Sequence, residues 1–303
     1  MSTVIESALN GVQFGLMLFL LAAGLTLVFG IMDMINLAHG SLYMFGAYLT
    51  AALVEPTGSF LLAMLLAMLA TAAIGMLLET TVLRTLYQRD HLSQVLATFA
   101  LILIGNEAVR MIWGPQPRRL ALPELFSGPV DLAGIQYPSY RLLVIGVGLA
   151  VALLLYLVVA RTRVGMWVRA GASNREMATV MGVDIKRLFT LVFGLGALLC
   201  AVAGALLGPL LSVQVGMGES ILILAFVVVV IGGIGSIRGA LAGSLMVGMV
   251  DTVGRTLVPG ALGTVFSPAV ASNLGPTLAS ILIYVLMAAV LFWKPQGLFP
   301  ARG

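Results

Sequence analysis

Nine apolar runs, each about as long as a bilayer is thick, follow one another along the chain with short polar or glycine-rich interruptions between them. They fall at residues 9–31, 37–54, 60–83, 94–112, 141–160, 187–211, 220–236, 239–257 and 275–293. A spanning helix needs about 20 mostly apolar residues. The pattern therefore predicts an all-α fold, a polytopic transmembrane helix bundle of eight or nine spans. Two stretches, 31–54 and 220–257, are broken by glycine and polar residues. Each reads either as full spans or as half-helices, so broken or re-entrant helices are expected there. No gap is long enough for a soluble domain, and residues 1–303 form a single transmembrane domain.

The most polar interruption is 161–187, R-T-R-V-G-M-W-V-R-A-G-A-S-N-R-E-M-A-T-V-M-G-V-D-I-K-R, which holds six of the sixteen Lys and Arg. Ser173-Asn174-Arg175-Glu176 fits a capping box, in which Ser173 would accept from the N–H of Glu176 and Glu176 would return a bond. Gly182 is a natural C-terminal stop. Between them a helix of about two turns is expected, 174–181, with Met177, Val180 and Met181 on one apolar, adaptable face. Asp184 can cap the next span. A helix this short is unstable alone in water and needs a surface to pack on. Two readings stay open: a docking helix for another protein, or a turn lying on the headgroups with its arginines on anionic lipid.

Composition supports the membrane reading. The chain is 60% hydrophobic and 9% charged, with mean hydropathy +1.10, where soluble domains carry roughly 25% charged residues. The net charge of +4 reports topology, not nucleic-acid binding. With 161–187 in the cytoplasm, Arg84, Arg89, Arg161, Arg163, Arg169, Arg175, Lys186, Arg187, Arg238, Lys294 and Arg302 are inside. Arg110, Arg118, Arg119, Arg141 and Arg255 are outside. Basic residues favour the cytoplasmic side, so the N-terminus is expected outside and the C-terminus inside. The first ten residues contain Glu6 and no Lys or Arg, unlike a secretory signal. The single Cys200 excludes an internal disulfide and reads as a small core residue.

Enzyme chemistry finds no support. Neither Lys186 nor Lys294 lies in a G-x-x-x-x-G-K-[ST] loop. Zinc spacings, a nucleophile elbow and a Ser-His-Asp grouping are missing, and no metal or cofactor is expected on this chain. The loop 113–140, with prolines at 115, 117, 123, 129 and 138, cannot hold a long helix. It serves as a connector or as an external docking surface.

Ionisable and polar groups at membrane depth are costly and mark functional candidates. Asp33, Asn36 and His39 lie in F-G-I-M-D-M-I-N-L-A-H-G-S-L-Y-M-F-G-A-Y. Gly30, Gly40 and Gly46 permit backbone breaks there, and Asn36, His39 and Ser41 can satisfy freed backbone groups. Gly232, Gly233, Gly235, Gly239 and Gly243 cluster around Ser236 and Arg238 in a second, loosely similar stretch. Broken helices at matching places in two halves point to a binding site or gate. The candidate path or gate residues are Asn36, His39, Gly40, Ser41, Gly232, Gly233, Gly235 and Ser236. The competing reading makes them interhelical glue and close glycine packing. Glu79, Asn106 and Glu107 end spans as interfacial groups, Asp251 lies within the 239–257 run, and no chain of acids suits a proton relay.

Glu176-Met177-Ala178-x-x-x-Gly182 resembles the E-A-A-x-x-x-G loop of ABC-importer permease subunits. R-A-G-A-S-N-R-E-M-A-T-V-M-G-V-D, G-L-T-L-V-F-G-I-M-D-M-I-N-L-A-H-G-S-L-Y-M-F-G-A-Y and G-G-I-G-S-I-R-G-A-L-A-G are similar to the branched-chain amino acid permeases, the LivH-like subgroup. Two departures stand out. Met177 replaces Ala, and the I-x-L-P tail of many other importers is absent at Val192-Phe193-Gly194-Leu195. The resemblance implies a bacterial inner-membrane importer subunit moving substrate by alternating access. It implies that 173–183 is a coupling helix, with Ser173, Arg175, Glu176, Met177, Ala178, Val180, Met181 and Gly182 at the ATPase contact. The implied partners are two cytosolic ABC ATPase subunits that carry ATP and magnesium, a sister permease subunit, an external substrate-binding protein and membrane lipid. Substrate is expected to be a branched-chain or related aliphatic amino acid. Urea or short-amide transport in the same subgroup, and an ATPase-independent transporter or channel, are the alternatives.

Overall fold

The computed structural model describes every residue except 1, 35, 124, 125, 133, 265 and 300–303; Arg302, grouped above with the cytoplasmic cations, lies outside the described residues. Helix α1 (Ser2–Met32) forms the axis of the bundle. Its middle, Leu16 to Ala23, is at most 1% exposed, with neighbours on every side. Around it stand α2 (His39–Thr57), α3 (Phe60–Leu78), α5 (His91–Trp113), α6 (Ser139–Arg161), α9 (Ile185–Leu207), α10 (Met217–Gly232), α11 (Ile237–Leu262) and α12 (Pro268–Trp293). Each of the nine expected runs thus contains one of these helices. Among the described residues seven helices are long and apolar enough to cross a membrane; α10, at 16 residues, is shorter. α6 and α12 keep apolar outer faces, such as Leu149, Leu153 and Leu154, or Ile281 and Val285. Lipid suits these faces and water does not.

Two helices begin inside the bundle instead of at its rim. After α1 the chain leaves helical geometry at 33, 34 and 36–38, with Asp33 at φ 51°, and α2 then starts at His39. The His39 ring lies against the backbones of Gly24 and Gly196. Gly196 comes 11 residues into the 23-residue α9, about 17 Å up a helix rising 1.5 Å per residue. The start of α2 is therefore near mid-depth. From the opposite end, residues 208–216 lead back into the bundle, turn at Gly216 (φ 81°) and open α10. The first turns of α2 and α10 abut: a Cβ on Gly40 would sit 2.5 Å from the Gly218 carbonyl oxygen.

This corrects two expectations. Gly30, Gly40 and Gly46 do not form the backbone break; they face Gly235, Gly218 and Ala201 where helices approach closely. The break falls on non-glycine residues beside them. Nor do 231–243 form a mid-membrane pair of half-helices. Gly233 (φ 100°) and Gly235 (φ 80°) make the turn from α10 to α11, and Ser236 caps α11 by accepting from the Gly239 N–H at 3.1 Å. The second irregular entry is 208–216 instead, because Gly216 supplies the left-handed residue there.

Basic side chains stand at both rims. At one rim Arg84 bonds Glu79 and Thr190, Arg175 reaches the end of α1, and Arg169 and Arg238 line one cleft. At the other, Arg141 donates to Asn10, and Arg118 and Val213 exchange backbone hydrogen bonds of 2.8 and 2.9 Å. Glu79 is fully buried, where a π-turn (Glu79–Leu83) carries α3 into α4 (Arg84–Leu86). Arg84, Tyr87 and Thr190 all donate to it, at 3.0, 2.8 and 2.6 Å. It is a knot holding α3 to α9, not an exposed interfacial acid. Beyond it, Asp90 caps α5. The Ser93 hydroxyl and N–H donate to its carboxylate and hold it below the usual carboxylate range. Asp251, 7% exposed, is neutralised by Arg255 one turn on. Part of the proline-rich loop folds as a hairpin of β1 (Pro129–Leu132) and β2 (Ile135–Pro138), pairing Val130 with Tyr137 and Asp131 with Gln136.

Candidate coupling helix and membrane path

The loop 161–187 contains two helices, not one. α7 (Arg163–Ser173) opens on Thr162, whose hydroxyl accepts from the Gly165 N–H, and rests on Gly165, Val168 and Gly171. That contact stripe is two glycines and a valine, too faint a pattern to mark a helix in the sequence. α8 (Arg175–Val180) follows at once.

The cap of α8 lies one residue later than the S-x-x-E pattern placed it. Ser173 is the last residue of α7. Asn174 has the extended backbone (φ −155°, ψ 107°) that an N-cap needs, and its Oδ1 accepts from the Met177 N–H at 2.9 Å. Glu176 sits in the first turn, where the helix dipole favours an acid. The stop is as expected. Gly182 takes φ 88°, its N–H reaches the Thr179 carbonyl at 2.9 Å, and Val183 N–H reaches Ala178 at 3.0 Å. This pair of bonds is the Schellman closure. Asp184 caps α9 through the Arg187 N–H at 3.1 Å.

α8 has two unlike faces. Ala178 is 4% exposed and packs inward, while Met177, Val180 and Met181 are 59%, 81% and 78% exposed. Arg175 ties the helix to the bundle. Its Nε donates to the Ile31 carbonyl at 3.1 Å, and its guanidinium lies 5.5 Å from the centre of the Phe189 ring. One side chain thus joins α8, the first turns of α9 and the last turn of α1, two residues before the break at Asp33.

The path candidates divide in two. Asn36, His39, Gly40 and Ser41 gather at mid-depth and are all buried. Interhelical glue requires hydrogen bonds between helices, and among the described residues this cluster makes none. Asn36 Oδ1 accepts only from the nearby Ala38 N–H, at 3.1 Å. Asn36 Nδ2, both His39 ring nitrogens, Ser41 Oγ and Thr26 Oγ1 have no protein partner. The His39 ring instead meets Phe193 edge-on at 6.2 Å. An unpaired buried polar group costs roughly 1–3 kcal/mol, so a cluster of them is costly as plain structure. Gly232, Gly233, Gly235 and Ser236 lie elsewhere, at the basic rim, with Gly232 against Gly239 and Gly235 against Gly30.

One residue escaped the sequence reading. Glu219 stands in the first turn of α10, exposed on the side of the bundle, and accepts from Asn106 Nδ2 at 2.7 Å. With Gly40, Ser41, Met44, Ile102, Asn106 and Gly218 it lines a narrow crevice between α2, α5 and α10. No Lys or Arg pairs with it among the described residues. The expected run began at 220, so Glu219 fell just outside. An acid directly before an apolar run, with no neighbouring cation, was the available signal.

The fold and this arrangement define a multi-pass helical membrane protein. Residues 7–291 match the family described as branched-chain amino acid transport system / permease component, and the chain belongs to that family. It is 29% identical to the high-affinity branched-chain amino acid transport system permease protein BraD of Pseudomonas aeruginosa, over 97% of this chain and 95% of that one. It is 31% identical to the permease protein LivH of the corresponding system of Escherichia coli K12, over 82% and 85%. Among solved structures, PsaBC from Streptococcus pneumoniae in complex with Fab aligns over 95% of this chain and 91% of the other, with 14% identity and a TM-score of 0.48.

Proposed function

We propose that this chain is the permease subunit of an ATP-driven importer in the bacterial inner membrane, and that α8 is the element through which a separate ATPase moves it. The exposed Met177, Val180 and Met181 face carries this reading. A six-residue helix held at both ends presents unpartnered apolar side chains at the basic rim, which is the geometry of an insert for a groove. The chain itself binds no cofactor. ATP and magnesium belong to two cytosolic ABC ATPase subunits, and a sister permease subunit and an external substrate-binding protein complete the importer. The names of the BraD and LivH relatives support a branched-chain or related aliphatic amino acid as substrate. The test is cross-linking: Met181→Cys, with Cys200→Ala as background, should join to a co-purifying ATPase through a short thiol cross-linker. A cysteine at exposed Leu153 should not. Equal capture at both positions, or none at 181, overturns the assignment.

The path in this reading runs along the α2–α5–α10 face. A carboxylate at membrane depth costs roughly 2.5–3.5 kcal/mol on insertion scales, so the exposed Glu219 must meet water or protein, not lipid. Facing the sister subunit across a substrate path provides both. Asn36, His39, Gly40 and Ser41 then stand at the waist, and the Gly30–Gly235 contact, beside Gly232, Gly233 and Ser236, closes the path toward the basic rim. Glu219→Gln keeps the size and the Asn106 contact but removes the charge. Uptake of an amino acid carrying an ammonium group should fall about tenfold, the scale of one hydrogen bond to a charged group. Unchanged uptake places the path on another face.

A further inference from the structure

A cleft of about 1310 Å³ opens at the basic rim between α1, α6, α7, the α10–α11 turn and the end of α12. It exceeds the roughly 300–1,000 Å³ of small-molecule pockets, far more than an aliphatic amino acid fills. Its inner walls are apolar, including Val159, Ala160, Val230 and Leu291, and Arg169 and Arg238 both line it. Neither arginine forms a salt bridge among the described residues. Arg169 donates to the Val159 carbonyl near the end of α6, and Arg238 lies 5.8 Å from the centre of the Tyr156 ring. Asp33 is the one acid in the lining.

Depth identifies the kind of occupant. Val159 and Tyr156 come two and five residues before the end of α6 at Arg161, about 3 and 7.5 Å below the rim at 1.5 Å per residue. The two guanidinium groups are therefore at headgroup level, above an apolar slot, on the rim that carries most of the chain's cations. Basic pockets between membrane helices on the cytoplasmic side suit phosphate headgroups, and guanidinium pairs with phosphate through two parallel hydrogen bonds.

We infer that this cleft is a binding site for an anionic phospholipid, its phosphate held by Arg169 and Arg238 and its acyl chains lying along Tyr156, Val159 and Leu291. The cleft opens beside α6 and the end of α12, away from the α2–α5–α10 face, and shares Gly30, Gly235 and Ser236 with the closed end of the proposed path; the lipid inference itself stands on Arg169, Arg238 and the apolar wall of α6 and α12. An occupant there would brace α6 and α7, and through them α8.

The test uses the full chain with its co-purifying subunits in detergent. The probes are phosphatidylglycerol and phosphatidylcholine, each with a diazirine in one acyl chain, and labelled peptides are mapped by mass spectrometry. Phosphatidylglycerol should label peptides containing Tyr156 and Leu291 in preference to phosphatidylcholine. The double variant Arg169→Gln/Arg238→Gln should lose that label about twenty-fivefold, at about a factor of five for each cation near an anionic headgroup. Arg169→Lys/Arg238→Lys should keep most of it. The thermal unfolding midpoint of each variant shows whether it is folded. If the Gln pair fails to fold, the preference of the wild type between the two probes decides. Equal labelling by both lipids, no label in the cleft, or a folded Gln pair that labels like wild type overturns the site.

Discussion

Glu176→Lys and Gly182→Val should each abolish uptake while leaving the protein inserted and folded, as read by radiolabelled leucine uptake beside membrane-fraction immunoblots. The reasons differ. Gly182 holds φ 88° with no atom near where a Cβ would stand, so the penalty is backbone strain and not a clash. An L-residue in left-handed geometry costs roughly 1–2 kcal/mol, and a β-branched one is a genuine outlier there. Six residues cannot offset that, because short helices are marginal even without strain. The Schellman closure at Thr179 and Ala178 would open, and the Met177–Val180–Met181 face would lose its fixed shape. Glu176→Lys leaves the backbone alone but puts a cation at the positive end of the helix dipole, the wrong sign by about 0.3–1 kcal/mol, and reverses the charge at the edge of the docking face. Both residues are exposed at the rim, so insertion should survive. Uptake that persists in both variants removes α8 from the mechanism.

These two residues were legible in the sequence because their signals are local. A glycine after a two-turn apolar face, and an acid in a first turn, need no tertiary information. The same locality explains the cap error. Ser173 and Asn174 are both good N-caps, and only α7, which absorbs Ser173 as its last residue, decides between them. α7 itself was hidden because it buries glycines instead of large apolar side chains. The spans were legible for the opposite reason, since an apolar run of bilayer length carries its own meaning regardless of neighbours. The breaks were not. Glycine permits a break and equally permits close packing. Whether Gly40 does one or the other depends on Gly218, 178 residues away. The polar cluster around His39 stood out in the sequence because polar residues in an apolar run do so, whereas Glu219, at the edge of its run, did not.

Arg175→Ala should produce a different failure, uncoupling. Arg175 is the side chain that spans from α8 to the Ile31 carbonyl while stacking on Phe189. Its carbonyl partner lies two residues before Asp33, where α1 ends and the chain turns back toward His39. A displacement of α8 is therefore delivered to the end of α1 and to the root of the irregular segment that positions the waist. A hydrogen bond involving a charged group is worth roughly 1.5–3 kcal/mol, and a partly desolvated cation–π contact adds about 0.5–2 kcal/mol. Losing both is enough to cut transport more than tenfold, since each 1.4 kcal/mol is a factor of ten. The proposed docking face, Met177, Val180 and Met181, is untouched by the change. Arg175→Lys restores the charge but lacks the planar fork that bonds and stacks at once, and should rescue only in part.

The decisive measurement follows uptake and ATP hydrolysis in one preparation: the complete importer, reconstituted in liposomes with its ATPase and binding protein, carrying wild-type Arg175 or Arg175→Ala. The predicted result is ATP hydrolysis within about twofold of wild type and uptake below about a tenth, the signature of an ATPase that still docks on α8 but no longer moves α1. Hydrolysis and uptake that fall together in proportion, or uptake that stays intact, would contradict the account.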